Sequence, residues 1–149
     1  MELSTKNAMV LLLEVNQDIE EYAEATVKNI IEDKNFDDLS YPPNAGLTAL
    51  EKKELNKLDN NENLKNALRK IMADNTAAVV FNIFNLLDGV TSPKNYEHDW
   101  TGIKLVDENE DDENNDHFED MLHDKFLEMY WEWKKVRGNK NWKLDAYEE

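Results

Sequence analysis

Only two of the eleven residues from Ala77 to Leu87 are polar, Asn82 and Asn85. Apolar side chains then fall on nearly every side of whatever element forms there, and that element needs cover. Length favours a helix, although Val79-Val80-Phe81 also suits a buried strand. Asp88-Gly89 supplies the stop, because glycine takes positive φ without steric cost. Only four glycines and three prolines occur in 149 residues, which favours long helices over a turn-rich β fold. The expected fold is mainly α: one domain over 1–149, a helical bundle around the buried Ala77–Leu87 helix.

The other elements follow from periodicity and punctuation. Ser4 or Thr5 can cap a first helix running to about Asp33, with Leu12, Val15, Ile19, Tyr22, Thr26 and Ile30 as its core stripe. Pro42-Pro43 and Gly46 interrupt the chain after it. Thr48-Ala-Leu-Glu51 is a capping-box pattern, predicting a short helix over Ala49–Leu58. A third helix starts near Glu62, and Asp74-Asn75-Thr76 offers a pause before Ala77. Trp100–Val106 has the composition of a small β-hairpin or edge strand. The last helix is expected from Asn115 or Asp116 to Arg137, with Phe118, Leu122, Phe126, Met129, Trp133 and Val136 facing the core.

Charge limits the function classes. Acidic residues outnumber basic ones 33 to 17, for a net charge of −16. A surface this negative repels phosphate backbones and anionic lipid and attracts basic proteins and cations. Direct nucleic-acid binding and membrane binding are not expected. No cysteine occurs, which excludes disulfides, thiolate metal sites and a cysteine nucleophile. No segment has the composition of a signal peptide or a membrane span, so a cytoplasmic protein is expected. An acidic loop is expected over about 107–116, within the run Asp107–Asp120.

That run resembles a metal site only at its start. Asp107, Asn109 and Asp111 match the opening of a calcium loop, but Asp112 stands where the loop needs glycine and Phe118 where it needs a bidentate glutamate. His117 and His123 are spaced to point apart on a helix, and Glu119 with His123 makes only two ligands. No metal or other cofactor is expected. Catalytic motifs are also missing: no phosphate loop, no HExxH and no nucleophile elbow. A hydrolase built on His98 or His123 with a carboxylate is the weakest of the readings weighed.

The last helix carries a second face. Asp120, Asp124, Leu127 and Trp131 project nearly opposite its core stripe. An aromatic beside carboxylates combines buried area with steering of arginine or lysine. Together with Asp111, Asp112 and Glu113 of the acidic loop, these residues form the expected binding site for a basic protein. Cover by the chain's own Trp142 and Tyr147 is the competing reading for Leu127 and Trp131.

The segments Phe84-Asn-Leu-Leu-Asp-Gly-Val90, Trp100-Thr-Gly and Leu122-His-Asp-Lys-Phe-Leu-Glu-Met-Tyr130 resemble a pattern in small uncharacterised bacterial proteins. Some of these are similar to immunity proteins encoded beside polymorphic toxins. The resemblance covers roughly the last two-fifths of the chain. It implies a cytosolic protein that binds a toxin domain and blocks its active site, with no catalytic residues of its own. The leading expectation is therefore a non-catalytic, immunity-type binding module. The alternative is a DNA-mimic inhibitor whose carboxylates imitate phosphate spacing.

Overall fold

A computed structural model describes residues 3–39, 41, 46–94, 99–108 and 117–138. Among the described residues four α-helices carry the fold: α1 (Thr5–Val27), α2 (Ala49–Leu55), α3 (Glu62–Leu87) and α4 (Leu122–Val136). A π-helical segment, Lys28–Asp33, continues α1. The protein is a mainly helical bundle, as the scarcity of glycine and proline requires. There is no strand among the described residues, and the hairpin expected over Trp100–Val106 is not seen there, Val106 alone lying in a bridge. The chain divides into two compact units.

The first unit comprises Met1–Ile19 and Asn75–Lys140. Its core holds Leu3, Ala8, Leu12, Ile19, Phe84, Phe118, Leu122, Phe126, Met129 and Trp133. Phe84 of α3 meets Phe126 of α4 edge to face, with ring centroids 5.5 Å apart. Asn16 is buried with them. Its Nδ2 donates to the carbonyl of Leu12 at 2.9 Å and to that of Phe126 at 3.3 Å. Both bonds offset the cost of burying an amide.

A backbone clasp joins the start of this unit to the residues before α4. The Phe118 N–H donates to the Leu3 carbonyl at 3.0 Å, and Ser4 and His117 form an isolated antiparallel bridge. Ser4 also begins α1, its hydroxyl accepting from the Asn7 N–H at 3.3 Å. The Ser4 N–H donates to both oxygens of Asp107, each at 3.2 Å. Hydrogen bonds from Asn7 and Ser4 hold the Asp107 carboxyl below its ordinary range.

The second unit comprises Glu20–Asp74 and the segment 141–149, the latter outside the described residues. Ala23, Val27, Ile31, Phe36 and Ala73 are buried in it. Its long-range side-chain contacts include charge-assisted pairs. Arg69 grips Glu24 through Nε and through Nη2, the latter 3.0 Å from Oε1. The buried Lys65 donates to Glu32 at 2.7 Å and pairs with Glu62. Those two hydrogen bonds raise the Lys65 ammonium above its usual value, Glu32 contributing most. Thr48 and Glu51 complete the expected capping box, but α2 stops at Leu55 rather than Leu58 and buries nothing.

Four further expectations need correction. The π-helical continuation ends the first helix at Asp33 as read, yet its buried stripe is Ala8, Leu12, Asn16, Ile19, Glu20, Ala23, Val27 and Ile31. Tyr22 is 69% exposed and Thr26 is exposed. The real stripe steps mostly by four and accepts two polar residues, which a search for apolar residues passes over. There is no pause at Asp74-Asn75-Thr76; α3 is one helix of 26 residues. All three side chains are exposed, so their capping preference costs the helix little.

The third correction concerns α4, which begins at Leu122 rather than Asn115 or Asp116. Residues 117–118 direct their backbone groups to Leu3 and Ser4 instead of to a helix. Phe118 reaches the core from that extended stretch. At the far end Val136 is 68% exposed, and the neighbouring Arg137 is buried in its place. The Ala77–Leu87 stretch is helical as expected, but its burial is one-sided. Phe84 and Asn85 are buried, whereas Val79 is 60% and Ile83 49% exposed.

Two measurements check this packing. Phe126→Ala should lower the unfolding free energy by about 3–5 kcal/mol, while Tyr22→Ala should change it by less than about 0.5 kcal/mol. Chemical denaturation of both variants distinguishes the observed stripe from the one periodicity suggests. Asp107 is ionised more readily folded than unfolded, so its stabilisation exists above the ordinary carboxylate range and disappears as pH falls. The melting-temperature difference between wild type and Asp107→Ala should therefore be largest near neutrality and close in strongly acid solution.

Candidate protein-binding face

The face of α4 opposite its core stripe is open. Leu127 is 57% and Trp131 54% exposed, so both large apolar groups face solvent. The Asp120 and Asp124 side chains are 64% and 75% exposed. The tail with Trp142 and Tyr147 lies outside the described residues. The amphipathic spacing of α4 produces this arrangement directly. Leu122, Phe126, Met129 and Trp133 turn inward, and residues offset by half a turn point out.

Trp131 is oriented by its neighbours on the same helix. Tyr130 meets it edge to face at 5.2 Å between centroids, and the Lys134 ammonium sits 5.4 Å from its ring centroid. Towards the start of α4, Asp120, Met121, Asp124, Lys125 and Glu128 line an open hollow of about 410 Å³. Lys125 lies among these acids, 2.8 Å from Glu128 and 3.8 Å from Asp120. The hydrogen bond to Glu128 raises the Lys125 ammonium above its ordinary value. Lys135 pairs with Glu132 at 2.6 Å. The acids of this face are thus partly answered by the chain's own lysines, in exposed pairs that water screens and that contribute little to stability.

Of the residues expected in the site, Asp120 and Asp124 share the hollow, and Leu127 and Trp131 follow along the exposed side of α4. Asp111, Asp112 and Glu113 lie outside the described residues, as does His98. A second hollow, of about 450 Å³, is lined by Thr5, Met9, His117, Phe118, Glu119, Asp120 and Lys125. His117 is exposed there. No group of three or more potential metal ligands occurs among the described residues.

His123 departs furthest from what its spacing suggests. It is buried, and its Nδ1 is 2.7 Å from Asp88 Oδ2. The same oxygen accepts the His123 backbone N–H at 3.0 Å. Met121, at the cap position of α4, offers no side-chain bond. Asp88 therefore caps α4 from across the unit, and its charge lies at the positive end of that helix. The Phe81 ring stands edge-on to the imidazole at 5.6 Å, and His123 Nε2 is 3.5 Å from Asp124 Oδ1. Asp88 Oδ1 is buried with no hydrogen-bond partner among the described residues. Neither hollow is lined by His123 or Asp88.

Comparison with protein-family models, with curated proteins and with solved structures gives no match.

The Asp88–His123 contact predicts a stability effect. Asp88→Ala leaves the His123 N–H and ring without their acceptor and should cost about 1–3 kcal/mol. Hydrogen exchange at the first turn of α4 should accelerate more than in α1.

Proposed function

We propose that this chain is a non-catalytic protein-binding module of the immunity type, acting in the cytoplasm on a basic partner such as a toxin domain. The observation that carries the reading is the open α4 face, where Leu127 and Trp131 stand exposed along a helix that also presents Asp124 and Glu128, with Asp120 just before its first turn. The two apolar groups supply area that a partner can dehydrate, and the carboxylates supply pairing for its lysines or arginines. Lys125 occupies the acidic hollow in the free protein, so an incoming cation exchanges one ion pair for another and gains mainly in specificity. The net charge of −16 steers the approach and disfavours contact with nucleic acid or anionic membrane. No helix among the described residues is long and apolar enough to cross a membrane. The DNA-mimic alternative rests on total charge.

The test is capture from a lysate of the native host on the immobilised full chain, with a Trp131→Ala/Asp124→Lys double variant alongside. A basic protein should be retained by the wild type at low salt, released as ionic strength rises, and lost on the variant. With that protein purified, Trp131→Ala alone should weaken binding by about 2 kcal/mol or more if it is the anchor. Retention that ignores salt, or that the double variant preserves, would overturn the proposal.

A further inference from the structure

Of the two histidines among the described residues, His117 is exposed and His123 is buried. His123 lies with Asp88 and Asp124 in the first unit, and its ring stands between those two carboxylates. On one side Nδ1 is 2.7 Å from Oδ2 of Asp88, whose side chain is almost fully enclosed. On the other, Nε2 is 3.5 Å from Oδ1 of Asp124, whose side chain is open to solvent. A bare ring nitrogen 2.7 Å from a carboxylate oxygen would set lone pair against lone pair. The first proton of the ring therefore sits on Nδ1. The second enters and leaves at Nε2, the nitrogen that faces Asp124. Asp88, after the end of α3, and Asp124, on α4 itself, are the titratable groups set against the ring among the described residues. From α3 the ring meets the uncharged Phe81.

We propose that His123 is a proton-operated switch that sets how much negative charge the α4 face offers. With both ring nitrogens protonated, Nε2–H pairs with Asp124 and adds a positive charge beside a face that acts through carboxylates. With Nε2 bare, that pairing is lost. Asp124 is then left to the hollow it lines with Asp120, Lys125 and Glu128, and a basic partner meets the fuller charge. Asp88 keeps the ring in place in both states, because its Oδ2 also accepts the His123 backbone N–H at 3.0 Å. A change at Nε2 is thus felt at Asp124 and not lost in movement of the ring. Histidine is the side chain whose ordinary change of charge falls between about pH 5 and pH 8. Binding of a basic partner strengthens as Nε2 loses its proton, and by reciprocity such a partner drives that proton off. This consequence rests on the reading of α4 as a face for a basic protein; the response of Asp124 to the ring does not.

Nuclear magnetic resonance of the full chain between about pH 5 and pH 8 reads the switch without a partner. The carboxyl carbon resonance of Asp124 should move in step with the ring nitrogens of His123. Titration calorimetry with an oligo-arginine peptide reads the consequence. Its affinity should rise roughly fivefold over the same range, and should still do so in His117→Gln. His123→Gln should flatten the rise. Asp124→Asn, at an exposed position where folding is not at stake, should flatten it as well. Ring nitrogens of His123 that keep one state throughout, or an Asp124 resonance that ignores them, overturn the proposal. A rise that survives both His123→Gln and Asp124→Asn overturns it equally. A peptide that binds at no pH, while Asp124 still follows His123, overturns the reading of the α4 face and leaves the switch standing.

Discussion

One oxygen of Asp88 accepts the His123 backbone N–H at 3.0 Å and lies 2.7 Å from the Nδ1 of the same residue's ring. On those two contacts depends the way α4 starts. Asp88 follows the last residue of α3, where Gly89 at φ 73 turns the chain. The Val90 N–H returns to the Asn85 carbonyl at 2.9 Å, and the Gly89 N–H to that of Leu86 at 3.3 Å, the paired bonds of a Schellman ending. A carboxylate at a helix C-terminus is electrostatically unfavourable, and the same carboxylate at another helix's N-terminus is favourable. Asp88 occupies both positions. The end of α3 thereby holds the first turn of α4, and with it the side of α4 that meets Phe84.

Charge is used differently in the two units. In the second, the Lys65 and Arg69 side chains are largely buried, paired with the half-buried Glu32 and Glu24 and with the exposed Glu62. Those pairs accompany a small apolar core, with α2 burying nothing. In the first, the pairs on α4 are exposed, and Lys125 and Lys135 bridge neighbouring acids along the helix surface. Enclosed pairs constrain the packing around them, because removing one partner strands a charge. Exposed pairs exchange readily with solvent and with incoming ions. The ion pairs on α4 are for that reason easily opened, and the Lys65 cluster is suited to hold shape.

Much of the helix plan was legible. Thr48 and Glu51 form the capping box their spacing implies, and Gly89 ends α3 where a positive φ was needed. Leu122, Phe126, Met129 and Trp133 are buried as their spacing requires, with Leu127 and Trp131 opposite. The departures have identifiable reasons. Size and spacing make Tyr22 a core candidate, but Asn16 and Glu20 hold the buried positions. Asn16 can do so because the Phe126 carbonyl, 110 residues away, accepts its amide. The late start of α4 depends on Leu3 and Ser4 pairing with Phe118 and His117. Neither arrangement leaves a local signal.

The sequence by itself determined the helical character, the excess of negative charge and the composition of both faces of α4. These follow from local spacing and from counting charges, and no distant contact alters them. Only tertiary structure decided that His123 is buried on Asp88, that Val79 and Ile83 are left open, and that Phe118 enters the core outside any helix. Each of those outcomes turns on which separated segments meet. Burial and hydrogen bonding are properties of the pair brought together, not of either residue in its own stretch of chain.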